Sequence, residues 1–499
     1  MPNTLATFVL FSWPLVTWLL FKKYRVSIAL PATIIFGYLF IPERISFDPP
    51  LLPAIDKSFM PSLCTILFLA AHNSRLKRVS IKRAQKSNVN RSVKDRTERT
   101  SPGSRVARLV PLILLLMLCA PVLTWLTNQN ALIYGSRYLK GIALYDMLSM
   151  VQNLAVIFLP FWLARRELGT PQAANDLLKV FAIASLIYSV LVMWEARMSP
   201  QLNRDLYGFF ASDWRQHVRE GFRPIVFLAH GLRVGIFICM GALACAALAR
   251  ANIDGRRSRW LLATAWMIVV LYFSRNLGAM LICLPLTAVI LVAPLKIQFL
   301  LAGLTSITVL LYPMARGSGA IPTERITDYV ALISPERAAS FEYRLRNEDI
   351  LLEKANEKPL TGWGGFGRSR VFDPITGADQ STTDGSWVIS IGVYGWVGYL
   401  GQFGLLCGGA ILMWLRHRRY GLNTLDSGIA LILVANLVDL IPNSSLVPIL
   451  WLMAGATWSR SEYGARHPAT FLSPRTRTRT RTRTSLSKNQ VSSPQIPID

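Results

Sequence analysis

The residues best suited to chemistry are arginines and an aspartate that stand where long apolar runs begin or end. Arg223 precedes an apolar run that carries His230, and Arg275 stands in a three-residue polar break between two further runs. A guanidinium group is a planar, permanently charged donor that suits phosphate oxygens. Asp384 stands just before the apolar run that begins at residue 387, and its carboxylate could take a proton from a hydroxyl group.

Each of these residues also has a structural interpretation. Arg223 could be a snorkelling anchor at the membrane interface. His230, about two helical turns into its run, could be a hydrogen-bonded interior residue. Arg275 could belong to a plain hairpin cap, and Asp384 could be a helix N-cap. Both interpretations stay open on the sequence alone.

The region 315–386 is a large polar loop in an otherwise apolar half of the chain. A helix-like stretch at about 337–357 carries acidic and basic residues one turn apart, which can pair along a helix. The two expected pairs are Glu342 with Arg346 and Arg344 with Glu348.

The loop continues with a glycine-aromatic run, KPLTGWGGFGR, at residues 358–368. Proline ends the preceding helix, and the glycines allow unusual backbone angles and close approach of a ligand. The spacing matches neither the Rossmann nor the P-loop pattern. Trp363 offers a flat face suited to a sugar ring, so Trp363 and the adjacent Gly364 are candidate glycan contacts.

The elements that position these residues are predicted to be membrane-spanning helices. The chain has 499 residues, of which 52% are hydrophobic and only 16% are charged, and its mean hydropathy is +0.36. The apolar runs are too long and continuous for the alternating strands of a membrane barrel. We expect an all-α polytopic membrane protein with about 11–13 transmembrane helices.

The net charge of +26 is concentrated in short bursts between the apolar runs. Placing all strongly basic short loops on the cytoplasmic side orients the chain with the 315–386 loop outside and the C-terminus inside. Such a charge needs no nucleic-acid partner, and anionic membrane lipids would meet the basic segments. The six cysteines show no metal spacing and no disulfide framework.

This reading divides the chain into six segments. They are N-terminal transmembrane helices at 1–72, a basic cytoplasmic loop without fixed structure at 73–108, a transmembrane core at 109–314, the large external loop at 315–386, C-terminal transmembrane helices at 387–458, and a basic cytoplasmic tail without fixed structure at 459–499.

The order of these features resembles the O-antigen ligase and polysaccharide polymerase superfamily of bacterial inner membranes. The resemblance covers roughly residues 215–410 and rests on four pieces in order. They are Arg223 before the helix with His230, Tyr272-Phe-Ser-Arg275, Arg344 followed by Ala355…Lys358-Pro-Leu-Thr-Gly-Trp-Gly, and Gly392…Gly395-Trp-Val-Gly398.

The resemblance implies a GT-C-like glycosyltransferase of the cell inner membrane whose large loop is periplasmic, with neither a metal nor another cofactor. Its substrate would be an oligosaccharide linked to undecaprenyl pyrophosphate, transferred with inversion to an acceptor hydroxyl. Arginines would neutralise the leaving pyrophosphate. By this resemblance Asp384 and Arg344 would be catalytic, while Arg223, Arg275, Arg346 and His230 would bind substrate. A chain-length regulator protein is a possible partner.

One position departs from the family. Ligases carry a histidine followed by Asn or Ser just before the helix that follows the loop, whereas this chain has Asp384-Gly-Ser386 there. The departure favours a polymerase of exopolysaccharide or O-antigen repeat units over a ligase that transfers glycan to lipid A-core. A transporter or flippase of lipid-linked sugars is the alternative from another class, and it would require broken or charged helices at the bilayer midplane.

Overall fold

The computed structural model describes residues 2–49, 52–71, 108–211, 214–218, 221–333 and 335–466, and this part of the chain is mostly helical. Its helices are α1 Thr4–Lys23, α2 Val26–Phe40, α3 Met60–Ala71, α4 Leu109–Thr127, α5 Leu144–Glu167, α6 Pro171–Met198, α7 Leu202–Tyr207, α8 Trp214–Val218, α9 Gly231–Ala251, α10 Arg257–Phe273, α11 Leu277–Val292, α12 Leu295–Gly317, α13 Thr323–Ile333, α14 Pro335–Asn356, α15 Ser386–Tyr420, α16 Thr424–Asp439 and α17 Pro448–Arg466. In the same residues, the strands β1 Leu132–Tyr134 and β2 Arg137–Leu139 form an antiparallel hairpin.

The prediction of a helical membrane protein is confirmed. Every apolar run of the sequence contains a helix. Seven of the described helices are long and apolar enough to cross a membrane, namely α1, α4, α5, α6, α9, α12 and α15. The helices α2, α3 and α11 are apolar but shorter. The expected total of 11–13 spans stays a prediction.

Helix α9 is the centre of one half of the bundle, where it packs against α6, α10, α11 and α16. It is rich in glycine and alanine, and nearly all of its residues are buried. Small residues let helix backbones approach closely, and the resulting van der Waals packing favours helix association in lipid. At Gly241, for example, an added side chain would collide with Ser185 of α6.

Helix α15 organises the other half, where it packs against α4, α12 and α17. The helix is broken at Gly395, whose φ of 65° and ψ of −173° are not helical. The large loop bonds to this break through three backbone hydrogen bonds, from Trp363 N to Gly392 O, from Gly364 N to Val393 O and from Trp396 N to Pro359 O. The backbone groups released by the break are therefore satisfied by the loop.

The loop also rests on the end of α4 and on the β-hairpin. Lys358 Nζ donates to Thr127 O at 2.7 Å and to Asn128 Oδ1 at 2.8 Å. Arg368 is 2% exposed and donates to three backbone carbonyl groups, including that of Lys140. The part of the loop that follows α14 is thus fixed to the bundle at several points.

At the opposite end of the bundle, α17 continues to Arg466, so the first residues assigned to the tail are helical. Arg460 is buried there and pairs with the buried Asp426 carboxylate at 2.6 Å. Burying both charges requires this pairing. The rest of the predicted tail and nearly all of the predicted loop at 73–108 lie outside the described residues.

Candidate functional site

A cavity of about 910 Å³ lies among α9, α11, α14 and the end of α16. Its lining brings together four of the residues predicted from the sequence, namely Arg223, His230, Arg344 and Asp384. The other polar residues around it are Gln216, Arg233, Asn276, Thr382, Asp439, Asn443, Ser444 and Ser445. Residues from distant parts of the sequence therefore share one polar space.

The wall that carries His230 is not helical, which differs from the prediction. Helix α9 begins at Gly231, and His230 is its N-cap rather than a residue two turns inside it. The preceding residues 224–229 form turns and extended backbone, with Val226 at a φ of 53°. His230 consequently lies at the mouth of the helix, where it can face the cavity.

Polar side chains from other elements hold this non-helical wall in place. The buried Glu195 carboxylate, near the end of α6, accepts hydrogen bonds from the backbone N–H groups of Leu202, Ile225 and Val226 at 2.7–3.0 Å. The Tyr188 hydroxyl accepts from the Phe227 N–H at 3.1 Å. These bonds replace those that a helix would have made, which is how irregular backbone is tolerated inside a membrane protein.

Two histidines cap the start of α9. His230 Nδ1 accepts from the Leu232 N–H and His217 Nε2 accepts from the Gly231 N–H, both at 3.1 Å. Their ring centroids lie 4.4 Å apart. Burial, followed by the charges of His217 and the nearby guanidinium groups, lowers the pKa of His230 to about 3. His230 is therefore neutral, and because its Nδ1 accepts a bond, its proton is on Nε2.

Arg223 and Arg344 supply positive charge to the cavity. The Arg223 guanidinium rests on Gly231, where an added Cβ would lie 3.0 Å from Arg223 Nε. Burial lowers the pKa of Arg223, and the Arg344 charge lowers it further. Within the described residues, neither arginine forms a salt bridge and the buried Arg223 Nε has no hydrogen-bond partner. A bound anion would offset the cost of holding these charges together.

A third arginine, Arg233, forms a salt bridge with a carboxylate. Its guanidinium lies 3.6 Å from Glu43, which also accepts a salt bridge from Lys57 at 3.0 Å. Burial alone would raise the pKa of Glu43, but the charges of Lys57 and Arg233 hold it below its usual value. Lys57 also donates to the Phe227 carbonyl at 2.7 Å, which ties this cluster to the non-helical wall.

Of the three aspartates near the end of the loop, Asp373, Asp379 and Asp384, only Asp384 lines the cavity. Asp373 accepts backbone hydrogen bonds in its own turn, and Asp379 pairs with Arg370. Asp384 lines the cavity, and the N-cap of α15 is Gly385, without a side-chain capping bond. The interpretation of Asp384 as a helix cap is therefore not supported, and its carboxylate is placed where it could serve chemistry.

Asp439 is a cavity residue that the sequence reasoning missed. It is buried at the end of α16 and accepts a hydrogen bond from Asn443 Nδ2 at 2.9 Å. Asn443, Ser444 and Ser445 continue the same polar wall. A usable signal was present, since Asp439 is the only ionisable residue of the apolar run at 427–441, and such residues are costly unless they serve a purpose.

The polar break between α10 and α11 is a tight turn, as predicted, but a different residue reaches the cavity. Asn276 lines it, caps α11 by accepting from the Ala279 N–H, and packs against Gly235 of α9. Arg275 has a φ of 54° and lies against Gly221, outside the cavity lining. The turn therefore presents an amide to the cavity, and the guanidinium contacts the segment before Arg223.

The remaining predicted loop residues lie elsewhere. Arg346 is exposed on α14 and does not line the cavity. Trp363 is 8% exposed, donates to the Lys354 carbonyl at 2.7 Å, and carries the Lys354 ammonium 3.7 Å above its ring. Gly364, with a φ of 88°, packs against Ile142. The glycine-aromatic run therefore fastens the loop rather than contacting the cavity.

The ion pairs expected along α14 are also different. Glu348 lies 3.7 Å from Arg316 of α12 and accepts a hydrogen bond from the Tyr312 hydroxyl at 3.3 Å. Arg316 also pairs with Asp349 at 2.7 Å. Because Glu348 is turned toward α12, Arg344 is left facing the cavity.

No protein-family model matches the sequence, and a comparison with curated proteins finds no match. Among the described residues, no group of three or more His, Cys, Asp and Glu side chains could hold a metal ion. The fold and the apolar helices define a helical membrane protein.

Proposed function

We propose that this protein is a membrane glycosyltransferase that polymerises oligosaccharide repeat units carried on undecaprenyl pyrophosphate. One observation carries the proposal: a single cavity holds the guanidinium groups of Arg223 and Arg344 together with the carboxylate of Asp384. This is the set of groups that transfer from a lipid pyrophosphate to a hydroxyl needs. The proposal includes a GT-C-like fold, a bacterial inner-membrane location and a periplasmic loop.

The positive wall would act on the leaving group. As the glycosidic bond breaks, negative charge grows on the pyrophosphate, and preorganised cations stabilise that charge more than they stabilise the substrate. Arg223 and Arg344 are suited to this because no carboxylate among the described residues pairs with them. His230, which is neutral, would donate its Nε2 proton in a hydrogen bond.

The acidic wall would act on the acceptor. Asp384 would accept the hydroxyl proton as the oxygen attacks the anomeric carbon, so that the new bond forms with inversion. Asp439 and Asn443 line the same cavity as Asp384 and would hold the acceptor sugar by hydrogen bonds. An aspartate base in place of the ligase histidine is the reason that we favour chain polymerisation over transfer to lipid A-core.

The test is reconstitution of the full chain with a lipid-pyrophosphate oligosaccharide. We expect chain extension by the wild type and a loss of about 10²–10³ in turnover for both Arg223→Ala and Arg344→Ala, the range found when one donor to developing charge is removed. Arg325→Ala is the matched control, because Arg325 is exposed on α13 and away from the cavity. The product is resolved by polymer length.

Three results would decide against the proposal. Normal polymer length in both arginine variants would remove the catalytic role of the cavity. Transfer to lipid A-core without chain extension would make the protein a ligase. Movement of intact lipid-linked sugar between leaflets, without a new glycosidic bond, would instead identify a flippase.

A further inference from the structure

The segment that carries Asp384 is held from both sides by other parts of the chain. On one side, the Thr382 N–H donates to Asn347 Oδ1 at 2.8 Å. On the other side, the Ser386 N–H is bonded to the carbonyl groups of Leu440 and Asn443, both at 3.1 Å. Asp384 lies between these two attachment points, so its position depends on both.

Asn347 is the attachment point on the loop helix α14. It is 4% exposed, and its amide is used at both ends, since Nδ2 donates to the Tyr343 carbonyl at 2.8 Å while Oδ1 accepts from Thr382. Tyr343 also holds Thr382, because its hydroxyl group lies 2.7 Å from Thr382 Oγ1. A buried amide with both groups bonded has one orientation, which is a property of a rigid support.

The same face of α14 carries Arg344 and Glu348. Residues 343, 344, 347 and 348 share a face because of the 3.6-residue period of the helix. Glu348 connects the helix to Tyr312 and Arg316 of α12. Helix α14 therefore carries the cavity cation Arg344 and also holds Thr382, two positions before the cavity carboxylate, and it is tied to the long apolar helix α12.

We propose that Asn347 is a positioning residue that sets the place of Asp384 relative to Arg344. It does so by fixing Thr382, two positions before Asp384, to the helix that carries Arg344. This inference rests on the proposed glycosyl transfer for its kinetic part. Its structural part, the attachment of the 382–384 segment by Asn347, stands without any assumption about the reaction.

The first experiment measures amide hydrogen exchange in the full chain, by mass spectrometry of peptides that cover residues 380–386. We expect Asn347→Ala to raise the exchange rate of the Thr382 amide at least tenfold, while exchange in α15 stays unchanged. Asn356→Ala, an exposed position on the same helix, is the matched control. Asn347→Asp keeps the acceptor oxygen, so exchange should stay slow. An unchanged Thr382 rate in Asn347→Ala overturns the proposal.

The second experiment is a double-mutant cycle on turnover of a lipid-pyrophosphate oligosaccharide. We expect Asn347→Ala to lower kcat about 10–100-fold with little change in KM, since a misplacement of about 1 Å can cost this much. In an Asp384→Asn background, the same change should cost almost nothing more, because the two residues act through one step. Additive losses would show a general structural role and overturn the positioning.

Failure of the two proposals can be told apart. If the wild type turns over no lipid-linked oligosaccharide, the proposed function fails, and the exchange rates still decide whether Asn347 holds Thr382. If the wild type is active and the losses are additive, the glycosyl transfer stands and the positioning role is wrong. If Asn347→Ala lowers exchange protection throughout α15, Tyr343→Phe is used as the test variant instead. For Tyr343→Phe we expect a smaller rise in the amide exchange rate, confined to Thr382.

Discussion

His230 shows how one side chain serves both the fold and the cavity. Its Nδ1 caps α9, and its other ring nitrogen remains available to the cavity that it lines. Burial makes a charged imidazole unfavourable, and the second histidine and three nearby guanidinium groups add to this effect. His230 is therefore a neutral hydrogen-bond donor among cations. Its Nε2–H group can contact a phosphate or sugar oxygen without adding charge.

A substitution can separate the two roles of His230. Asparagine is a good N-cap, so His230→Asn should unfold at nearly the wild-type temperature, whereas His230→Ala should lose about 1 kcal/mol of stability. If the Nε2 proton contacts substrate, turnover should fall about tenfold in both variants. Since His230 stays neutral down to about pH 3, the pH dependence of the wild type between 5 and 8 should not change in His230→Asn. Normal turnover in His230→Asn would reduce His230 to a cap.

The sequence predicted the elements better than it predicted their interruptions. The apolar residues Ile225–Leu228 have the same hydropathy in a helix or in a turn, so nothing local marked the non-helical wall. What fixes that wall is Glu195, Tyr188 and Lys57, which stand far away in the sequence. Similarly, the sequence predicts an exposed Trp363 that could contact a sugar ring. That prediction is wrong because Lys354 and the break in α15, which lie outside the glycine-aromatic run, bury the side chain.

At the scale of elements, the break in α15 and the glycine-aromatic run form one joint. Gly395 adopts a φ of 65° with extended ψ, a conformation that is essentially restricted to glycine. Its absent side chain also makes room for the Leu360 carbonyl. The loop and the broken helix thus require each other, since the loop supplies partners to the free backbone groups.

Gly395→Ala tests this joint. We expect a loss of at least about 1–3 kcal/mol in stability, from backbone strain alone, and faster amide exchange at residues 359–364. Gly365→Ala is the control, because an added Cβ there meets no atom within 4 Å and its φ is not positive. Equal unfolding temperatures for the two variants would show that the joint contributes nothing to stability.

At the scale of the whole molecule, α9 separates the cavity at its N-terminus from a basic turn that follows its C-terminus. The cavity begins at the N-terminus of α9, and the turn after Ala251 marks the other end, about 31 Å away for a helix of 21 residues. This length matches the hydrocarbon thickness of a bilayer. The positions of the basic loops predict an orientation with the cavity outside, and that orientation stays a prediction.

Orientation is tested by cysteine labelling of intact cells. In a background with the six native cysteines replaced, Ile375→Cys in the loop should react with an impermeant maleimide added outside. Ile253→Cys in the turn after α9 should react only after the membrane is opened. Both side chains are well exposed, at 84% and 65%. The reverse labelling pattern would place the cavity on the cytoplasmic side.

The joint at Gly395 also constrains how the protein is made. Residues 359–364 leave the ribosome before α15, yet their bonding partners are the backbone groups of 392–396. The loop can therefore dock only after α15 has entered the membrane, and until then the opened turn of that helix lacks its partners. Fixing the loop to the bundle is accordingly a late step of folding, so a chain stalled before α15 is inserted would carry an undocked loop.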